Sequence, residues 1–173
     1  MFELGDKVVH IRHGAGVVIE TRTIVFEGKS RDYFCIQLND ARHTLMIPVE
    51  NVDAEELRPA LKGTQLIEEV LQTEPCELSD NYRARQADIR DKLKSRNPRK
   101  LAQALRDLAW LEYTHKLTNT DTRLRDKVIK ALARELALKP ETTVRNAQSA
   151  IVEIVEKAMV IHIAKHAETL PAS

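Results

Sequence analysis

The sequence predicts a two-part α+β fold, with a small antiparallel β-barrel over residues 1–52 followed by an all-α domain of five helices over residues 53–173. Two observations carry this. Apolar residues alternate with a period of two before Pro48, and after Glu50 they recur every third or fourth position. Gly, Asn, Asp and Pro punctuate the runs at short intervals in the first part and at helix-length intervals in the second.

The first strand is expected from Lys7 to Ile11, closed by the His13-Gly14-Ala15-Gly16 turn. In the second, Val17, Ile19, Thr21 and Thr23 alternate with Val18, Glu20, Arg22 and Ile24, which puts Arg22 and Ile24 on one face. After Glu27-Gly28-Lys29-Ser30 comes a third strand, where Phe34, Ile36 and Leu38 alternate with Tyr33, Cys35 and Gln37. Asn39-Asp40 then turns the chain into Thr44-Leu45-Met46-Ile47, with Leu45 and Ile47 on one face and Met46 on the other. About fifty residues is a marginal size for an independent core, so this part is expected to lean on the helical part of the chain.

The first helix is expected over Leu61 to Thr73, carrying Leu66, Ile67, Val70 and Leu71 and ended by Pro75. The second runs from about Asp80 to Lys94 with Ser79 as N-cap and Tyr82, Ile89 and Leu93 as its apolar series. Asn97-Pro98 reads as the N-cap and first residue of a third helix, because proline lacks only an N–H that would have no partner there. Its stripe is Leu101, Leu105, Leu108 and Leu111. A fourth helix over Thr120 to Leu138 uses Leu124, Val128, Leu132 and Leu136, and Lys139-Pro140 closes it. The last spans Thr143 to Glu168 on Val144, Ile151, Ile154, Ala158 and Ile161.

No apolar stretch approaches the roughly 20 residues that span a bilayer, and no membrane role is expected. The acidic start Met-Phe-Glu-Leu-Gly-Asp lacks the regions of a signal peptide, so a cytoplasmic location is expected. Cys35 and Cys76, without a CxxC spacing, read as unpaired thiols of a reducing compartment.

The net charge of +1 conceals a local polarity. Residues 50–80 carry nine acids against Arg58 and Lys62, a net of −7. Residues 81–106 invert this with nine bases against Asp88 and Asp91, a net of +7. Such a block is an electrostatic footprint for a polyanion, or else a solvated helix face balanced by the acidic segment beside it. Tyr82 opens the block. An aromatic ring beside Arg83 and Arg85 near a helix N-terminus suits a base stack or a wedge, with the arginines on phosphate; as a lone Tyr it also suits helix packing. Trp110, the only tryptophan, reads as a core or partly buried helix residue.

The opening Phe2-Glu3-Leu4-Gly5-Asp6-Lys7-Val8-Val9, the His13-Gly14 turn, the Glu20-Thr21-Arg22-Thr23-Ile24 strand and the Ile47-Pro48-Val49-Glu50-Asn51 exit together resemble the CarD/CdnL family of bacterial transcription regulators. The spacing from Asn81-Tyr82 to Arg106-Asp107-Leu108 and on to Glu135-Leu136-Ala137-Leu138 extends the resemblance over nearly the whole chain. It implies an N-terminal Tudor/SH3-like barrel that binds the β subunit of RNA polymerase, related to the corresponding domain of transcription-repair coupling factors. It also implies a helical half that touches promoter DNA at the upstream fork of the melted bubble, where an aromatic residue wedges into the minor groove and stabilises the open complex. Location with the nucleoid, through polymerase, follows from the same resemblance.

Transferred residue by residue, the polymerase contacts implied are Arg22, Ile24 and Met46, and the DNA contacts Tyr82, Arg83, Arg85 and Arg90. Met46 stands where relatives can carry an arginine, and Tyr82 where well-known members carry tryptophan. Ala84 and Ala87 replace residues that are basic in some relatives.

Catalysis has little support. His162 and His166 have the four-residue spacing of two metal ligands on one helix face, but no Glu follows His162 and no third ligand is evident. His10, His13 and His43 lie near turns, and Gly14-Ala15-Gly16 is too short and precedes a strand where a phosphate-binding loop would open a helix. No cofactor or metal is called for, and a monomer is expected. The alternative to a DNA-contacting regulator is an adaptor that binds polymerase through the barrel and recruits another protein through the helices.

Overall fold

The computed structural model describes residues 2–39, 43–52 and 56–169. Asp40 of the expected Asn39-Asp40 turn, and Asp53 and Glu55 of the acidic segment, lie outside the described residues. The chain forms two compact units, Met1–Lys62 with Arg134–Thr142, and Gly63–Ala133 with Thr143–Ser173.

The first unit is a five-stranded antiparallel sheet of β1 (Lys7–His10), β2 (Gly14–Phe26), β3 (Lys29–Leu38), β4 (Thr44–Pro48) and β5 (Leu57–Pro59), in the order β4-β3-β2-β1-β5. The sheet thus continues past residue 52 through β5. The hairpin joining β2 to β3 turns on two residues with positive φ, Glu27 at 49° and Gly28 at 74°, whose twist matches that of the flanking strands. Val8, Val18, Phe34, Ile36, Ile47 and Leu57 form the core, which Phe2, Leu38 and Leu45 flank. Gly16 lets β2 and β3 approach, because a Cβ there would stand 2.7 Å from the Gln37 carbonyl oxygen.

A second cluster, Val9, Ala15, Ala60 and Leu138, joins the sheet to the returning segment 134–142. Here the small sheet finds the support that its size requires. Arg58 Nη1 and Nη2 donate to Glu135 Oε2 and Oε1 at 3.0 and 2.6 Å, a two-pronged pair, and the Leu61 N–H reaches Oε2 at 3.3 Å. Glu135 is buried. Glu135→Ala, by removing the acceptor of both guanidinium prongs and of that N–H, is expected to cost about 1–3 kcal/mol of unfolding free energy in urea titrations. A loss below about 1 kcal/mol would mean the pair is dispensable.

The second unit holds α1 (Gln65–Gln72), α2 (Tyr82–Ser95), α3 (Pro98–Thr114), most of α4 (Asn119–Leu136) and α5 (Val144–Thr169). Helix α1 packs on α3 and α5, and α3 on α2 and α5. The core is Ile67, Leu71, Ile89, Leu101, Leu105, Leu108, Leu124, Val128, Leu132 and Ile151, largely the stripes that the period of 3.6 selects. No helix among the described residues is long and apolar enough to cross a membrane.

Two expectations are corrected. Ser79 does not cap α2. Asn81 does, its side chain accepting the N–H groups of Arg83 and Ala84 at 3.0 and 3.4 Å, while Ser79 Oγ accepts the Asn81 N–H at 3.2 Å. On α5 the stripe does not end on Ile161, which is exposed. The next residue, His162, is buried instead, and its Nε2 donates to the Leu71 carbonyl at 2.8 Å.

Candidate functional site

The N-terminus of α2 is an exposed corner built by its cap. With Asn81 holding the first turn, Tyr82 becomes the first helical residue at 49% exposure and Arg83 the second. Arg83 Nε donates to the Tyr82 hydroxyl at 3.3 Å, and its guanidinium carbon lies 5.8 Å from the ring centroid, within cation–π range. No acid occupies this turn. Arg90 lies seven residues from Arg83, two helical turns along the same exposed face, and Lys94 continues the line. Asn97 caps α3 in the same way, accepting from the N–H groups of Arg99 and Lys100 at 3.0 and 3.2 Å. Both of those side chains are exposed.

The basic block therefore divides. Lys92 pairs with Asp88 at 2.8 Å, Lys94 with Asp91 at 3.4 Å, and Arg106 is buried against Asp107 at 2.8 Å. Arg83, Arg90, Arg99 and Lys100 make no ion pair among the described residues and face solvent.

Arg85, expected at DNA, does not lie with these exposed bases. It is 7% exposed, and its Nε and Nη2 donate to Asp121 at 3.3 and 2.8 Å while Nη1 donates to the Ser79 carbonyl at 2.8 Å. Gln86, also buried, donates to Thr118 Oγ1 and Asp121 Oδ1 at 3.2 Å each. Asp121 further accepts the Thr118 hydroxyl at 2.7 Å and its N–H at 3.1 Å, and returns its own N–H to that hydroxyl at 3.2 Å. Burial by itself would raise the Asp121 pKa, but the bonds from Arg85, Thr118 and Gln86 outweigh it and hold the carboxyl at about 2. The physical reason for the burial is composition. Helix α2 turns residues 85, 86 and 89 inward, and only Ile89 of these is apolar, so arginine and glutamine must be buried with partners. Its poverty in apolar residues was the signal in the sequence.

In the first unit, a β-bulge decides which face carries the expected contacts. The register shifts between Val18 and Glu20, so that Val18 opposes Ile36 but Glu20 opposes Cys35. Unbroken alternation would put Arg22 and Ile24 on the face of Val18, in the core; the extra residue, Ile19, turns them to the opposite face. Arg22 opposes Tyr33, and Met46 opposes Cys35, which places Arg22, Ile24 and Met46 together on that face, all exposed. Arg22 bonds Glu20 on its own strand. Strand β1 covers β2 only from Gly14 to Val17, so the edge of β2 from Glu20 to Phe26 has no strand beside it among the described residues. The tip residue Phe26 is 73% exposed.

The remaining candidates disperse. Trp110 is half-buried between Tyr113 and His166, at centroid distances of 5.4 and 4.4 Å. His162 and His166 do not converge on a common point: His162 Nε2 is committed to Leu71, while His166 Nδ1 donates to the His162 carbonyl at 2.9 Å and Nε2 lies 3.2 Å from Glu74. His10 Nδ1 accepts the N–H groups of Arg12 and His13 at 3.0 and 3.3 Å, which fixes it within the turn. Cys35 is buried and Cys76 exposed, both as free thiols.

Residues 2–61 match the family model described as the CarD-like/TRCF RID domain, and residues 66–152 match the one described as CarD, C-terminal domain. The chain is 24% identical over 138 residues to the "Putative transcription factor YdeB" of Bacillus subtilis (strain 168), an alignment that covers 79% of this chain and 90% of that protein.

Proposed function

Because the chain belongs to the CarD family of transcription regulators, with a Tudor-like first unit followed by five helices, we propose that it docks on the RNA polymerase β subunit and stabilises the open promoter complex. In this reading Arg22, Ile24 and Met46 meet polymerase, and the edge of β2 adds backbone pairing that depends little on side-chain identity. Tyr82 and Arg83 meet DNA at the upstream fork, while Arg90, Arg99 and Lys100 hold phosphate. The observation that carries it is the Asn81-capped corner of α2, where an exposed aromatic ring and an arginine project from a first helical turn that contains no acid.

No bond need be made or broken. A protein that binds the fork better than closed duplex shifts the melting equilibrium by that difference, and about 1.4 kcal/mol suffices for a tenfold shift. Docking on polymerase makes the DNA contact intramolecular, so a weak wedge becomes effective.

The test is the lifetime of open complexes after competitor challenge, with wild type and Tyr82→Ala. Wild type is expected to lengthen it and the variant to forfeit most of the gain. Equal lifetimes for the two proteins would remove Tyr82 from the fork. No lengthening by either would favour the adaptor reading, for which α5 offers the exposed apolar neighbours Val160 and Ile161.

A further inference from the structure

The β2–β3 hairpin outruns the sheet on both sides. Strand β1 leaves β2 after Val17, and β4 accompanies β3 only from Tyr33 to Gln37, so residues 20–26 and 29–32 form a ribbon with no third strand beside it among the described residues. Its tip is Phe26, 73% exposed and opposite Lys29 across the turn at Glu27 and Gly28. The two faces of the ribbon differ. Residues directly opposed in the ladder share a face, and on the face of Arg22 three successive pairs each join a cation to an apolar or aromatic residue: Arg22 with Tyr33, Arg31 with Ile24 and Lys29 with Phe26. On the other face the pairs are Thr23 with Asp32, whose side chains hydrogen-bond at 2.6 Å, and Val25 with Ser30, and neither holds a cation. Lys29 and Arg31 are exposed and make no ion pair among the described residues, whereas Arg22 holds Glu20. A single exposed apolar side chain would mean little, but Ile24, Phe26 and Met46 lie together on this face beside those free cations.

We propose that the tip of the ribbon is a second anchor on the polymerase β subunit, with Phe26 seated in an apolar pocket and Lys29 and Arg31 on carboxylates at its rim. This rests on the docking reading and extends it, because Phe26 lies four residues beyond Arg22, about 13 Å along the strand. A partner strand paired with the free edge of β2 runs beside that whole length, so the surface that meets Phe26 belongs to the same partner. The acidic rim follows from charge. A purely apolar partner would strip water from Lys29 and Arg31 without compensation, whereas carboxylates compensate both and speed the encounter. The ribbon is also prepared for the contact: its ladder, the Thr23–Asp32 bond and the tight turn hold the tip in place before binding, so little ordering entropy is lost on docking.

The experiment measures affinity and association rate of the full chain on purified core polymerase by interferometry, for wild type, Phe26→Ala, Arg31→Glu, Arg22→Glu and, from the other face, Val25→Ala. Phe26→Ala is expected to weaken binding about 10- to 30-fold, as truncation of a buried aromatic anchor does, and Val25→Ala by less than about twofold. Arg31→Glu is expected to slow association about three- to tenfold at low salt and to flatten its salt dependence. All four side chains are exposed, so the melting of the free protein should not move. If Arg22→Glu loses binding while Phe26→Ala and Arg31→Glu bind as wild type does, the tip anchor is refuted and the docking reading survives. If Arg22→Glu also binds normally, or wild type itself does not bind, the docking reading falls and takes the proposal with it. Equal losses for Phe26→Ala and Val25→Ala would refute an anchor on one face. The partner is identified with Phe26→p-benzoylphenylalanine, which cross-links on illumination. Capture of the β subunit is expected, and capture of another subunit alone would overturn the assignment.

Discussion

Asp121→Ala is expected to lower the unfolding free energy by about 3–5 kcal/mol at pH 7, the cost of removing one partner from a buried ion pair. Asp121 has no solvent exposure, and its loss would leave the Arg85 guanidinium, the Gln86 amide and the Thr118 N–H inside the protein without their acceptor. Part of the effect titrates. The folded carboxyl has a pKa of about 2 against an ordinary value of 3.8, so its charge stabilises the fold by about 2 kcal/mol at neutral pH. The sign follows from the depressed value: this contribution is complete above about pH 4 and disappears as the pH falls through about 2. Urea titrations between pH 2 and 7 should therefore show a steeper acid limb for wild type than for Asp121→Asn, and identical limbs would contradict the assignment. The same substitution should also reduce the open-complex effect, since Arg85 and Gln86 anchor the turn that presents Tyr82 and Arg83.

Arg22→Glu is expected to weaken binding to the polymerase β subunit by about 100-fold or more, as a charge reversal at an interface costs several kcal/mol. Its side chain is exposed and bonds only Glu20 among the described residues, so the circular dichroism and melting of the free protein should barely change. Two carboxylates would then face the partner where a cation stood. Ile24→Ala and Met46→Ala should have smaller effects, since backbone pairing along β2 does not depend on them. Affinity within about threefold of wild type for Arg22→Glu, measured by interferometry on the isolated subunit, would move the interface elsewhere.

What could be read in the sequence was what local physics writes there. The Asn97-Pro98 start of α3, the hairpin at Glu27-Gly28 and the leucine stripes of α3 and α4 each follow from spacing and from a single residue's backbone preference. The misses are of another kind. Ser79 and Asn81 are both competent caps two residues apart, and it is the Asn81 side chain that reaches the first free N–H groups of α2, those of Arg83 and Ala84. Arg85 looked like its exposed neighbours because its partner, Asp121, is 36 residues away. The bulge at Ile19 left no mark in a run that alternates on both sides of it. Arg22 and Ile24 were still paired on one face, since the bulge precedes them both. The Tyr82–Arg83 contact, between sequence neighbours on a helix corner, depends on rotamers that no periodicity encodes.

The Arg58–Glu135 pair has a consequence for the order in which the protein is made. Its partners are 77 residues apart, and Leu138 of the same returning segment completes the cluster of Val9, Ala15 and Ala60. On a ribosome adding about 5–20 residues per second, the first unit waits roughly 4–15 s after Arg58 is synthesised before Glu135 exists. In that interval the side of the sheet formed by Val9, Ala15 and Ala60 lacks its cover. Helices α1, α2, α3 and most of α4 are synthesised before that segment, so the N-terminal unit, the first to emerge, is completed only shortly before α5 completes the second. A chain released early, before residue 134, would carry all five strands and still lack a finished sheet domain.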